Sequence, residues 1–222
     1  TAVIDESNQP PVNARLVRYE LKEQGIYLEA EADFSKDTRP RPDSNAPRLW
    51  KEEIYDGVYM NRRLFWNPKW LVEVFVVQAD RPHQIDWVMH FNGQACKTPE
   101  TAAVSPFSQN PPFCFLEKMR PLAASQELIN TYQTQDIYTT IYASQQNHHL
   151  YQGLGPGNPS DEKITYLIER PSGKQAIFCH LIEIRKDTPT IENVKFDLTG
   201  KDATIRIKEK QKTILLQMKD QL

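Results

Sequence analysis

Along most of the 222-residue chain, apolar and polar positions alternate with a period of two, the mark of extended segments with one dry face. The richest stretch runs from Ile54 to Gly93 and holds three of the four tryptophans and two of the five histidines. Within it Leu71 to Gln78 is apolar at nearly every position, with Val72, Val74 and Val76 on one side and Leu71, Phe75 and Val77 on the other. That pattern predicts a central strand covered on both faces. Ile85, Trp87, Met89 and Phe91 then alternate with Asp86, Val88, His90 and Asn92, predicting a strand with one polar side. Between the two, Ala79-Asp80-Arg81-Pro82-His83 predicts a turn, because Pro82 has no N–H to give a ladder. With Tyr59 to Trp66 as a preceding strand, the three form an antiparallel meander.

The flanking segments continue the same alternation. Ala14 to Leu21 and Ile26 to Phe34 predict a hairpin around Lys22-Glu23-Gln24-Gly25, with Glu29, Glu31 and Asp33 on its solvated outer face. The stretch from Ser35 to Lys51 carries Pro40, Pro42 and Pro47 and reads as a surface loop. Gln94 to Ser125 is irregular and contains five prolines; a loop of this length either covers something or binds something. Leu128 to Ser144 favours strand, and the Gly153-to-Pro159 cluster predicts a tight connection. Ile164 to Glu169 and Ala176 to Ile184 flank Pro171-Ser172-Gly173-Lys174 as another hairpin. Three short strands close the chain, at Val194 to Leu198, Thr204 to Lys208 and Thr213 to Met218. With no convincing helical periodicity, the expected class is all-β: an antiparallel β-sandwich of two sheets with very little helix, formed by residues 1–222 as one domain.

Charge and cysteine usage narrow the functions. A formal net charge of −2, with both signs mixed along the chain, leaves no electrostatic footprint for nucleic acid. No apolar run approaches the roughly 20 residues that span a bilayer, so no membrane partner is expected. The start at Thr1, with no basic and apolar leader after it, suggests a processed chain or a piece of a longer one. Cys96, Cys114 and Cys179 have no CxxC spacing, which leaves one bridge open but supports no thiolate zinc site.

Candidate chemistry is sparse. His148 and His149 are adjacent, yet strand neighbours point to opposite faces and do not readily share one ion. The glycine cluster lacks the Lys-Ser/Thr and following helix of a phosphate loop. His180 shares a face with Phe178 and Ile182 and reads as a hydrogen-bonded core histidine, with Cys179 an inert thiol on the other face. Arg62 and Arg63 point to opposite sides of one strand, so only one can face a ligand, and Arg62 also fits an intersheet ion pair. Trp50, Trp66 and Trp70 are candidates for stacking on sugar rings, or for the core.

An ordered series of short signals resembles the C-terminal β-sandwich of the heparinase II/III-like polysaccharide lyases, a group that includes oligoalginate lyases. The signals are the opening Thr1 to Gln9, Tyr55-Asp56-Gly57-Val58 with Arg62-Arg63, Leu71 to Val77 running on to Trp87-Val88-Met89-His90, and Ala176-Ile177-Phe178. The resemblance implies a supersandwich-like fold joined to an N-terminal α/α-toroid, and cleavage of uronate-containing polysaccharide by β-elimination. For such a substrate, Arg62 and His90, the latter on the polar face of its strand, are the candidate binding residues of this segment, against an ion pair for Arg62 and a hydrogen-bonded structural histidine for His90. The family's catalytic His, Tyr and Asn and its structural zinc ligands match no residue here; they are expected upstream of Thr1, so that this segment holds neither catalytic residue nor cofactor. The implied partners are an acidic polysaccharide and the toroid of the same protein, in the periplasm or outside the cell, with a cytoplasmic oligosaccharide lyase as the variant. The alternative is a non-catalytic carbohydrate-binding or protein-interaction sandwich.

Overall fold

The computed structural model describes residues 1–35, 50–97, 101–122, 128–144, 148–186, 189–210 and 212–220. The predicted 35–51 loop falls almost wholly outside the described residues. Strand makes up 66% of the structure and helix 3%, which confirms the all-β class. The helical share is one turn at Glu52–Tyr55 and a 3₁₀ turn at Phe113–Phe115.

Twelve strands form one antiparallel sheet. They are β1 (Ala2–Ile4), β2 (Arg15–Lys22), β3 (Gly25–Asp33), β4 (Tyr59–Trp66), β5 (Trp70–Phe91), β6 (Gln94–Ala95), β7 (Glu117–Pro121), β8 (Leu128–Thr134), β9 (Ile137–Ala143), β10 (His149–Pro156), β11 (Lys163–Arg170) and β12 (Ser172–Arg185). A three-stranded sheet follows, from β13 (Ile191–Thr199), β14 (Asp202–Glu209) and β15 (Thr213–Met218).

The turn expected at residues 79–83 is absent: β5 runs unbroken for 22 residues. Its first half pairs with β4 and β12, its second half with β1 and β11. The expected hairpin at Pro171 is absent as well. β11 and β12 lie end to end along β5, from Thr165 opposite Phe91 to Glu183 opposite Trp70. Pro82 is tolerated because it falls in a register break, where Gln175 pairs with Gln78 and Gly173 with His83, so it interrupts no ladder. Two local signals that each read as a turn are the two sides of one corner, where the sheet changes layer.

Three apolar clusters follow from that corner. The even positions Val72, Val74 and Val76, with Ile177, Cys179 and Leu181, pack on Ile205, Ile207 and Met218 of the small sheet. The odd positions Phe75 and Val77, with Phe178, meet Ile4, Ile85, Trp87 and Leu167 from the second half of the large sheet. Beyond that half, the irregular stretch covers its outer face, setting Phe113, Leu116 and Met119 on Val3, Val88 and Ile168. The sandwich therefore has a third layer that alternation alone did not announce.

Two further expectations change. Glu29 is buried, not solvated: its carboxylate accepts hydrogen bonds from Tyr27 Oη (3.2 Å) and Asn61 Nδ2 (2.9 Å), because the small sheet covers that face of the hairpin. The Gly153-to-Pro159 cluster is not a turn throughout, since β10 runs through Gly153 and Gly155. A Cβ on Gly153 would lie 2.3 Å from Met119 Sδ, and one on Gly155 2.6 Å from the Tyr166 ring. These glycines let neighbouring strands approach closely.

Candidate functional site

A buried cluster of charged groups lies where the two halves of the large sheet face each other. Glu73 and His180 are register partners on β5 and β12. Across the layer gap, β5 returns with Trp87 and β11 brings Glu169 opposite it. Trp87 Nε1 donates to Glu73 Oε2 at 2.9 Å, and His180 Nε2 meets Glu169 Oε2 at 2.9 Å. His180 Nδ1 lies 3.4 Å from Glu73 Oε2, an ion-pair contact, and the imidazole stacks on Trp87 with centroids 3.9 Å apart. His148 Nδ1 closes the far end, 2.6 Å from Glu169 Oε1. Arg62 closes the near end, with Nε 3.0 Å from Glu73 Oε1 and its guanidinium 4.2 Å above the Phe75 ring.

Burial by itself would lower the pKa of His180, but its hydrogen bond to Glu169 and its close contact with Glu73 overcome that and raise it to about 9. Burial pushes Glu73 upward, and its bonds to His180 and the Arg62 charge outweigh it, bringing Glu73 down to about 2. Glu169 is likewise held below its usual value, against its burial, by His148 and His180. At neutral pH His180 is thus a buried cation between two carboxylates. Such an imidazole gives no lone pair to a substrate proton or a metal. Its carboxylate neighbours are spent on hydrogen bonds, so the cluster does not fit the zinc set the resemblance implies. Among the described residues, no group of three or more His, Cys, Asp and Glu is arranged to hold a metal ion.

Arg62 is the member that reaches the surface, its side chain 34% exposed. Arg63, on the opposite face, is fully buried and bridges the two sheets, donating to the Met218 carbonyl at 2.8 Å and to the Lys201 carbonyl. His90 is exposed and stacks on Tyr166 at 5.1 Å. It faces outward with Val88, away from Trp87 and the buried cluster, so Arg62 and His90 stand on different faces. Of the tryptophans, Trp70 is buried with Nε1 3.3 Å from Glu209, Trp50 is half-buried, and Trp66 is 50% exposed. His149 is exposed and its ring lies 6.4 Å from Tyr151, apart from the His148 contact. All three cysteines are free. Glu73 was missed in sequence, although one acid inside an apolar strand is the kind of exception that marks a buried pair.

No family profile and no curated protein matches the sequence. Solved structures do match by shape. The chain superposes on heparinase III (BT4657 gene product) with a TM-score of 0.60 at 11% identity, covering 99% of this chain and 30% of that one. Heparan sulfate lyase HepC from Pedobacter heparinus gives 0.60 at 10% identity, covering 97% of this chain and 30% of that one. A mutant of the same lyase gives 0.62 at 9% identity, over 98% and 30%. The chain has a heparinase-like fold. It spans about 30% of the length of these lyases. No helix among the described residues is long and apolar enough to cross a membrane.

Proposed function

We propose that the chain is the C-terminal β-sandwich of a heparinase II/III-like lyase that cleaves uronate-containing polysaccharide by β-elimination. The observation that carries this reading is the superposition of nearly the whole chain on heparinase III and on heparan sulfate lyase. Elimination needs a base for the proton α to the carboxylate, cations that neutralise the carboxylate as charge develops, and an acid for the leaving oxygen. This chain contributes the cationic part. Arg62 is held in place by Glu73 and Phe75 while part of it stays exposed, whereas His90, exposed on a different face, would meet another stretch of the polymer. The base and acid belong to the α/α-toroid and to the segment before Thr1, as do the ligands of the family's structural zinc. The acidic polymer is met in the periplasm or outside the cell.

The toroid has a surface to rest on. Tyr19, Leu21 and Trp66 are exposed by 54%, 72% and 50% on one face of β2 to β4, in line with Leu28 and Leu64. A patch of this kind on a sheet face favours domain docking over a sugar platform, because it is aliphatic as much as aromatic.

The test is the absorbance of unsaturated uronate, measured with the protein that carries this chain together with its upstream region. It is expected to rise on heparan sulfate or alginate and to stay flat for the 222-residue chain alone. Arg62→Ala is expected to lower kcat/KM at least tenfold. An upstream region without a toroid, or no elimination from any uronate polymer, overturns the reading.

A further inference from the structure

Away from the Arg62 cluster, a groove of about 940 Å³ opens at the end of the layer gap, between β6 and the β8–β9 turn on one side and β7, β10 and β11 on the other. That volume is in the range of small-molecule sites. Its wall carries the amides of Gln94, Gln133 and Gln135, the cations Lys118, Arg120 and Lys163, and one acid, Glu162. No aromatic ring lines it. Lys163 is paired with Glu117 at 2.8 Å, and Arg120 donates to the Thr101 carbonyl. Lys118 is exposed and has no carboxylate within ion-pair distance among the described residues.

Two of the groove's residues are held in backbone conformations that L-residues avoid: Lys118 has φ 53° and Gln135 φ 53°. Only two other non-glycine residues with positive φ occur among the described residues, Asp5 and Glu6. Lys118 sits in a bulge, where Gln152 pairs with Arg120 but Leu154 with Glu117. A bulge re-aims a side chain, and here Gly153 makes room for it: a Cβ there would meet the Glu117 carbonyl at 2.7 Å and Met119 Sδ at 2.3 Å. The bulge fixes the backbone at Lys118 and the two-residue β8–β9 turn fixes it at Gln135, so both side chains are presented at the groove from set positions.

We infer that this groove binds an acidic oligosaccharide, Lys118 taking a carboxylate or sulfate and the glutamine amides taking ring hydroxyls. Amides match the donor and acceptor pairs of sugar hydroxyls, and the cations select an anionic sugar over a neutral one. The class of sugar is the one proposed above, but the site is separate from Arg62 and would hold the polymer beyond the cleavage point.

The 222-residue chain is titrated calorimetrically with a heparan sulfate tetrasaccharide, an alginate tetrasaccharide and cellotetraose. Binding of at least one acidic sugar is expected, weakened by salt, with no heat from cellotetraose. Lys118→Glu and Lys118→Gly are each expected to weaken it at least tenfold, and Lys208→Gln, an exposed cation on the small sheet, to leave it within twofold. Lys118→Gly keeps the backbone geometry, so its loss of affinity is read in a folded protein. Equal binding of cellotetraose, no binding of either acidic sugar, or undiminished affinity in Lys118→Gly overturns the inference. None of these readouts depends on elimination, so failure of the lyase reading shows separately.

Discussion

Replacing His180 by Phe removes the cation between Glu73 and Glu169 while keeping a ring of similar size against Trp87. In the folded protein the imidazole is raised from 6.5 to about 9, and at 1% exposure little solvent screens it. A rise of that size is worth about 3 kcal/mol. Because the folded value is the higher one, this stability is fully present below pH 6.5 and is lost as pH rises through about 9. His180→Phe is therefore expected to lose about 3 kcal/mol near neutrality, in the range for breaking a buried pair. Towards acid the gap should narrow, since two carboxylates deprived of their cation take up protons more readily and relieve the variant. Towards alkali it should narrow again, as the wild-type imidazole becomes neutral. The assay is urea unfolding of both proteins from about pH 5 to about pH 10, comparing the extrapolated stabilities. A loss below about 1 kcal/mol at neutrality, or one that does not change between pH 6.5 and 10, refutes the assigned charge state.

Three other outcomes follow from contacts at named atoms. Gly153→Ala sets a methyl 2.3 Å from Met119 Sδ and is expected to cost about 2 kcal/mol, seen as a lowered urea midpoint. Arg63→Met leaves the Met218 and Lys201 carbonyls without their buried donor and should cost about 3 kcal/mol, with amides of β13 to β15 losing hydrogen-exchange protection first. Cys96 and Cys114 should react with a thiol reagent in the native protein, and Cys179 only on unfolding, because burial raises its thiol pKa and shuts out the reagent.

Period-two alternation located most strands closely. Tyr59 to Trp66 is β4, and the β2–β3 hairpin and the last three strands fall within a few residues of their predicted bounds. The core character of Cys179 and of Val72 to Val77, and the buried, hydrogen-bonded state of His180, were legible for the same reason. Turn chemistry was less reliable. Pro82 and Pro171 both read as reversals, and each is instead a break in the ladder where two long strands bend together. Leu128 to Ser144 favoured strand and is strand on both sides of a turn at Gln135-Asp136, which lacks the glycine that would have marked it as a hairpin.

What the sequence determined by itself is which residues are extended and which of their faces are dry, since both follow from local alternation and from the cost of exposing apolar area. Which face meets which partner was decided by tertiary structure. Glu29 is buried because a sheet some 170 residues later packs over it, and the terminal nitrogens of Arg63 donate to carbonyls 138 and 155 residues away. Glu73, His180, Glu169 and Arg62 become one charged cluster only once β5 has crossed from one layer to the next. No local pattern encodes a contact made by folding a strand back over its own sheet.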